Sequence, residues 1–497
     1  MENRVWLPAV VASTLYFGAV AEADNDFWMH LFVGRWIVET GGVPRVDQLS
    51  YTATGALWVD HEWLWQVVAF QLFSWGGSRL LYLVKVLLVC LCVASAAWSM
   101  AQLRGSRSAA VAGAGTPWTW GVALLLAIPV LARGWAMRPQ LVTYAFLPAL
   151  LGLLAEWERG RRSRGLVAVI GFAIWANLHG GFVLGLAVLA LFAATGVWRG
   201  WREFAQRVGL LILCGTAACL NPYGVRLYLY LADELGRSHP ISEWQPVALA
   251  AEHTAFFLLA VVFLATVRWL PLRPSYIWRA VLAAVVLAFA WRHQRHTPVF
   301  ALCVIPLLAV QLDQVAALFR ARGWSLSPTA SRTVATGVAV IALVQGVLVT
   351  LGIREHGGRF VFHSQDYPVR VVQGLKAGGA RGNLAVPLDW GGYVLWHLAP
   401  LVKPSLDGRF ATVYPETVVA DNFSFFRAEP GWRRLLSNYP TEAVLLPAGV
   451  FHPLQREPGW QRLTGDDVAN LYVRADRLHA FSLANLPVDS GRTLYFP

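Results

Sequence analysis

The side chains that could do chemistry gather in a few short segments, and the first reads "DNDFWMHL". Asp24, Asp26 and His30 lie there, directly after the first apolar run of the chain. Asp26 and His30 are four residues apart, so on a helix they share a face. Two carboxylates at a membrane surface can serve as a general base or hold a divalent cation such as Mg or Mn. An Asp in that place can equally cap a helix. Further along, "RVDQLSYT" and "WVDHEWLWQ" add Asp47, Asp60, His61 and Glu62. A carboxylate beside an imidazole suits a proton relay or a metal site, although one His-Glu pair is a weak motif. Trp58, Trp63 and Trp65 read as an interfacial aromatic belt.

A second set is cationic. Arg138 stands in "AMRPQ", His179 in "NLHGG", and "WRHQRHTP" supplies Arg292, His293, Arg295 and His296. Arginine grips phosphate with two parallel hydrogen bonds, and histidine can add a hydrogen bond or a proton. A lipid phosphate or pyrophosphate is the natural ligand for such a set at headgroup level. The competing expectation is pairing with nearby carboxylates such as Glu243. A third set lies near the C-terminus, in "LDWGGYVLWHLAP" and in "KPSLDGRF" with Asp407 and Arg409. Asp389 and Asp407 each fall at a predicted strand end followed by glycine, where α/β domains place their sites. Turn chemistry and the capping of a cavity are equally open for them. No nucleophile elbow, zinc helix, Walker motif or dinucleotide fingerprint occurs, which argues against ATP-driven transport and hydride transfer.

The elements that must position these residues are mostly membrane helices. Of the 497 residues, 56% are hydrophobic and only 14% charged, and the mean hydropathy is +0.48. A globular domain carries roughly a quarter charged residues, so the chain reads as a membrane protein. The net charge of +12 does not indicate nucleic acid, because the basic residues recur in short clusters between apolar runs. Eleven spans are expected at 5–21, 78–100, 117–132, 140–155, 166–178, 182–198, 208–220, 255–270, 278–291, 298–318 and 333–353. The first reads as an uncleaved helix rather than a signal peptide. Residues 64–77 read as an interfacial amphipathic helix. Cys90, Cys92, Cys214, Cys219 and Cys303 all lie in apolar runs and read as buried structural thiols without disulfides.

Arginine clusters at 104–107, 159–164, 199–207, 268–279 and 320–332 mark one side as cytoplasmic, with the N-terminus inside. The loops on the other side hold Asp24 to Glu62, Arg138, His179, Glu243 and Arg292 to His296. Polar groups at membrane depth are costly and usually line a cavity. After residue 353 the composition becomes ordinary. The runs "NLAVP", "VKPSLD" and "AVLLP" alternate with helical stretches near 368–377, 391–399 and 415–438, which predicts a small α/β domain on the outer face. The expected division is therefore a helical membrane domain over 1–353, carrying the first outer loop 22–63, and a soluble domain over 354–497.

This plan resembles the GT-C class of integral-membrane glycosyltransferases, which includes protein O-mannosyltransferases, aminoarabinose transferases and oligosaccharyltransferases. Acidic residues just after helix one, here in "EADNDFWMH", many spans and an outer C-terminal domain carry the resemblance. The chain also resembles a group of bacterial multi-pass proteins sharing a "D-x-W-x-H … G-x-x-P-x-x-D-x-x-S-Y-T … H-E-W-L" first loop, with "NLHGG", "NPYG" and "LDGR" further on. The resemblance implies a bacterial inner-membrane location, a C-terminal periplasmic domain and a polyprenyl-phosphate-linked sugar donor. It implies Asp24 or Asp26 as base toward an acceptor hydroxyl, with Arg138, Arg292 and Arg295 holding the departing lipid phosphate. His30, Asp60, His61, Glu62, Glu243, Asp407 and Arg409 would support them. The acceptor, whether glycan, lipid or protein, is open. Two alternatives stand beside transfer: a non-catalytic subunit of a larger membrane complex, and a polysaccharide polymerase or ligase.

Overall fold

Each of the eleven expected apolar runs falls on a helix. The computed structural model describes residues 3–105, 117–234, 242–324, 327–484 and 493–495. The helices through the apolar region are α1 (Asn3–Gly18), α2 (Asn25–Thr40), α3 (Trp63–Arg104), α4 (Pro117–Ala132), α5 (Gln140–Glu158), α6 (Arg164–Leu178), α7 (Phe182–Ala194), α8 (Trp201–Ala218), α9 (Arg226–Glu234), α10 (Thr254–Thr266), α11 (Pro274–Arg292), α12 (Thr297–Ala321) and α13 (Pro328–His356). Among the described residues, seven helical segments are long and apolar enough to cross a membrane. They are α3, α5, Phe182–Arg199, Ala251–Trp269, α11, Gln294–Ala321 and α13, and three shorter apolar helices lie at Val5–Gly18, Trp118–Ala132 and Arg164–Leu178. The run expected at 208–220 lies on α8, whose first turns carry Arg202, Glu203 and Arg207. The protein is a multi-helix membrane protein. Its five cysteines are all free thiols.

The chain divides into two compact units: Met1–Val20 with Tyr82–Arg226 and Leu235–Gly358, and Ala21–Leu81 with Leu227–Glu234 and Arg359–Pro497. In the first, α12 packs against α4, α5, α10 and α11, and α1 packs against α4 and α13. One end of this helical unit is a collar of ion pairs. Arg104 meets Asp313, Arg161 and Arg164 grip Glu156 at 2.7 and 3.0 Å, Arg207 grips Glu203 at 2.7 Å, and Arg279 grips Glu158 at 2.9 Å. These are the arginines assigned to the cytoplasmic loops, so much of the positive charge there is locally compensated. Within the same unit, the last carbonyls of the α1 region are capped from α3: Tyr82 donates to the Ala19 carbonyl at 2.8 Å and buried Lys85 to that of Val20.

The second unit is built on strands β1 (Val361–His363), β2 (Gly382–Ala385), β3 (Val402–Pro404), β4 (Ala443–Pro447), β5 (Trp460–Gly465), β6 (Ala469–Arg474) and β7 (Thr493–Tyr495). Five form a mixed sheet in the order β3-β2-β4-β6-β5, with β2 parallel to β3 and β4, and β6 antiparallel to β4 and β5. The strands predicted at "NLAVP", "VKPSLD" and "AVLLP" are β2, β3 and β4. Helices α14 (Val369–Ala377), α15 (Leu388–Leu398), α16 (Glu416–Phe426) and α17 (Arg434–Asn438) accompany them. The single helix expected over 415–438 is split, because the chain turns through positive φ at Ala428 and Gly431.

The division differs from the expected boundary near residue 353. The first outer segment belongs with the sheet, and the reason is apolar burial. Phe32, Val33 and Ile37 of α2, with Leu49 and Trp58 of the following loop, share one core with Leu395 of α15, Leu406, Tyr414 and Val418. The segment is also pinned through its backbone, since Ala23 donates to the Val361 carbonyl and Val361 to that of Ala21, both at 2.9 Å. The helix expected over 64–77 is present as the first part of α3. It ends at Gly77, where φ is 60° and ψ −158°, a conformation that suits only glycine.

Candidate active site

Helix α2 begins where the sequence signals place it. Asp24 is its N-cap, and its Oδ1 accepts from the Phe27 backbone at 3.0 Å. Gly41 closes the helix in the left-handed conformation, its N–H bonded to the Ile37 carbonyl at 2.9 Å. Of the two carboxylates proposed as base, Asp24 thus performs the capping role. Asp26 lies in the first turn, half-buried, where the helix dipole favours negative charge. The "LDGR" segment comes up against it: a Cβ on Gly408 would lie 2.7 Å from Asp26 Oδ1. Among the described residues no group of three or more His, Cys, Asp or Glu is placed to hold a metal ion.

One turn beyond Asp26, His30 is buried at the centre of a titratable cluster. Its Nδ1 is 4.0 Å from Glu62 Oε2, and His61 Nε2 is 3.5 Å from Glu62 Oε1. Tyr230 of α9 tilts against the His61 ring at 5.7 Å. Asp60 sits beneath them, 3% exposed, accepting from Gln66 Nε2 at 3.0 Å and from the Glu62 backbone at 3.4 Å. Burial pushes the Asp60 carboxyl up to about 8; neighbouring Glu62 pushes the same way, and the distant Arg409 charge offsets little of it. Of the residues expected as support around Asp26, His30, Asp60, His61, Glu62, Asp407 and Arg409 lie in the same unit as Asp26, whereas Glu243 lies in the helical unit.

Asp47, Asp407 and Arg409 form a different kind of cluster. Arg409 donates from Nη1 to Asp47 Oδ1 at 2.5 Å, and from Nε and Nη2 to the two Asp407 oxygens at 2.9 and 2.7 Å. Tyr414 donates to Asp407 Oδ2 at 2.6 Å, and the Ser50 hydroxyl to Asp47 Oδ2 at 2.5 Å. Burial works against the Asp407 charge, but Arg409 and the hydrogen bonds from Arg409 and Tyr414 outweigh it and hold the carboxyl below its usual range. Trp58 completes the cluster with its ring 4.8 Å from the guanidinium. It is 2% exposed, which corrects the expectation of an interfacial belt: the indole is used to cover a buried cation. The cluster clasps the first outer segment to the end of β3. The Gly391–Gly392 pair serves the same contact. A Cβ on Gly391 would meet the Leu406 carbonyl at 2.0 Å, and one on Gly392 the Asn25 carbonyl at 3.1 Å, so the pair permits close packing of α15.

In the helical unit, the outer cations gather at the end opposite the arginine collar. Arg138 pairs with Glu243 at 2.7 Å, the pairing weighed above as the alternative to phosphate binding. The neighbouring Trp244 is held by this end of the bundle. Arg295 lies 4.6 Å over its ring, His293 Nδ1 meets its carbonyl at 2.7 Å, and the His296 ring stands edge-on at 6.0 Å. His179 caps α6, with Nδ1 accepting from the Gly181 N–H at 3.0 Å and 2.7 Å from the Thr143 hydroxyl. Arg292 is exposed, and no ion pair to it occurs among the described residues. Trp244, Thr143, Gln66, Tyr230 and Tyr414 went unrecognised in the sequence. Gln66, Trp244 and Tyr414 had a local signal, standing at the end of "WVDHEWLWQ", beside Glu243 and just after "LDGRF".

Apolar helices of spanning length joined to a mixed α/β sheet unit define a membrane protein with a folded polar part. No family model matches the chain, and no curated protein matches it. Among solved structures it is similar to the archaeal oligosaccharyltransferase AglB from Archaeoglobus fulgidus, determined in complex with an inhibitory peptide and a dolichol-phosphate. The TM-score is 0.47 at 12% identity, covering 89% of this chain and 69% of that one. That likeness assigns no residue a role.

Proposed function

We propose that the protein is a membrane glycosyltransferase that moves a sugar from a polyprenyl-phosphate-linked donor to an acceptor hydroxyl on the outer face of the bacterial cytoplasmic membrane. The observation that carries the reading is Asp26: a first-turn carboxylate directly after the first apolar helix, with His30, Glu62 and His61 behind it in the same unit. Asp26 takes the acceptor proton as the acceptor oxygen attacks the anomeric carbon. The bond from that carbon to phosphate breaks, and its electron pair leaves with the lipid phosphate. Arg138, His179, Arg292, Arg295 and His296 belong to the helical unit, and lipid-phosphate binding by them is a reading of that unit by itself that rests on the GT-C resemblance. General-base catalysis typically contributes about 10²–10⁴-fold, and stabilising the leaving charge contributes a comparable share. The GT-C resemblance of the first loop supports the donor class. The test is transfer from a labelled polyprenyl-phosphate hexose by membranes carrying wild type or Asp26→Asn; retention of wild-type transfer by the variant removes the base.

A second reading, a non-catalytic subunit of a membrane complex, is favoured by one observation: Arg138 is already paired with Glu243, and Arg295 is already stacked on Trp244. It predicts no donor turnover by the purified chain and co-purification at fixed stoichiometry with partner proteins.

A further inference from the structure

The helical unit carries a groove that sugar transfer leaves unused. It has a volume of about 580 Å³ and is walled by α1, α3 and α4, all within that unit. Small side chains make the room for it. Cys90, Ala94 and Ala97 of α3 stand four and three residues apart, so they share the helix face that lines the groove. At one end Gly121 of α4 lets the Trp6 indole lie against the helix, since a Cβ there would fall 2.4 Å from Trp6 Cε3. Val10, Val93 and Leu124 are buried in the floor, whereas Leu7 and Val11 on the rim are 70% and 48% exposed. The Thr14 hydroxyl in the lining is spent on the Val10 carbonyl at 2.7 Å. The wall therefore offers apolar contact rather than hydrogen bonds.

We propose that this groove is a binding site for one acyl chain of a membrane phospholipid, from the leaflet at the arginine-collar end of the unit. The inference stands apart from the transferase reading. The rim belongs to α3, which is long and apolar enough to span, and to the shorter apolar helices α1 and α4, so hydrocarbon is the medium that meets it. Size decides against a protein occupant. A helix about 10 Å across rises 5.4 Å per turn and fills about 400 Å³ in doing so, and the groove would seat little more than one turn. The chain's own α13 is already seated on α1 through a residue outside the groove, with Ser13 donating to Gln345 at 2.8 Å. Level decides between lipid sources. Ala97 is two turns from Arg104 on α3, and the Arg104 guanidinium lies 5.4 Å from the ring of Trp120, a groove residue. The groove thus opens near the collar, whereas the cations read as holding a donor phosphate stand at the opposite end of the unit. A chain that enters here belongs to a lipid whose headgroup lies at the collar end, and its burial completes the packing between α1, α3 and α4.

The test uses the full-length chain in vesicles containing phosphatidylglycerol with a diazirine midway along one acyl chain. After irradiation, labelled residues are mapped by peptide mass spectrometry. Labelling of 6–14, 90–97 and 120–124 is expected to persist when the surrounding lipid is exchanged for detergent before irradiation. Labelling of α13, whose Leu343 and Leu348 are exposed, is expected to be lost on the same exchange. Ala97→Phe fills the groove and is expected to lower its labelling about tenfold or more, the effect of excluding about two methylenes, with labelling of α13 in vesicles unchanged. Ala94→Phe, at an exposed position of the same face, gives the same result and serves if Ala97→Phe does not fold. Groove labelling that disappears as readily as that of α13 and ignores both substitutions overturns the site in favour of ordinary surrounding lipid. Labelling displaced by polyprenyl phosphate but not by unlabelled phosphatidylglycerol overturns the phospholipid assignment and gives the groove to an isoprenoid chain. Both readouts are independent of sugar transfer, so failure of the transferase reading leaves them intact.

Discussion

Two carboxylate clusters sit within the second unit, and they are opposite solutions to burying charge. At Asp47, Asp407 and Arg409 a guanidinium fills the space between two carboxylates, and Tyr414 and Ser50 supply further donors. At Asp60 the same arginine contributes only the smallest of several influences, and burial drives the carboxyl to about 8. A compensated buried cluster fixes geometry and titrates outside the physiological range. An undercompensated one costs stability and keeps a proton in play near neutral pH, which is the property acid–base chemistry requires. The first cluster is accordingly read as a clasp and the second as part of the working site.

The largest expected effect breaks the clasp. Arg409→Met leaves two buried carboxylates without their cation and is expected to cost about 3–5 kcal/mol, seen as a lowered unfolding temperature of the purified protein in detergent. A shift no larger than that of a surface substitution means the cluster is not compensated as described. A smaller effect follows at Asp60, and its sign is set by the raised folded-state value. The folded protein binds more protons than the unfolded chain between about pH 4 and 8. Stability therefore falls as pH rises through that window, is free of the penalty below it, and levels off above about 8, where Asp60 is ionised in both states. Asp60→Asn is expected to remove this slope, so that the variant gains on wild type as pH rises. Parallel stability curves would show that Asp60 is ionised in the fold at neutral pH.

Packing and capping come next. Gly391→Ala places a Cβ on the Leu406 carbonyl and is expected to cost about 1–3 kcal/mol through a shift of α15, measured by the same unfolding assay. The smallest effect separates the two leading carboxylates. Asp24→Ala removes the cap from α2 and is expected to cost about 1 kcal/mol while sugar transfer stays within a few-fold of wild type. A loss of transfer as deep as that of Asp26→Asn, at full stability, would move the base to Asp24.

Much of the fold was legible because it is written in local patterns. Apolar runs located the helices, β-rich runs such as "AVLLP" located strands, and Asp24 marked the start of α2 by ordinary cap chemistry. The Gly77 break was legible too, as the end of an amphipathic stretch. What the sequence did not disclose is long-range pairing. Asp47 and Arg409 are 362 residues apart, and nothing in their spacing says that one neutralises the other. The same gap explains Trp58, whose aromatic neighbours suggest an interface while its actual partner is a distant arginine. It also explains the unit boundary, since a first outer segment with apolar residues at Phe32, Val33, Ile37 and Trp58 needs a partner that local periodicity cannot name. In the candidate site, residue types and their helical spacing were visible, whereas the Glu62 carboxylate between two imidazoles was a product of folding.

The central claim is that Asp26 is the base of a sugar transfer from a lipid phosphate. The most direct measurement is single-turnover consumption of a radiolabelled polyprenyl-phosphate hexose by vesicles containing wild type, Asp24→Ala or Asp26→Asn at equal expression. The account predicts turnover by wild type and Asp24→Ala, and a loss of about 100-fold or more for Asp26→Asn with its unfolding temperature unchanged. Equal turnover by wild type and a stably folded Asp26→Asn would contradict it.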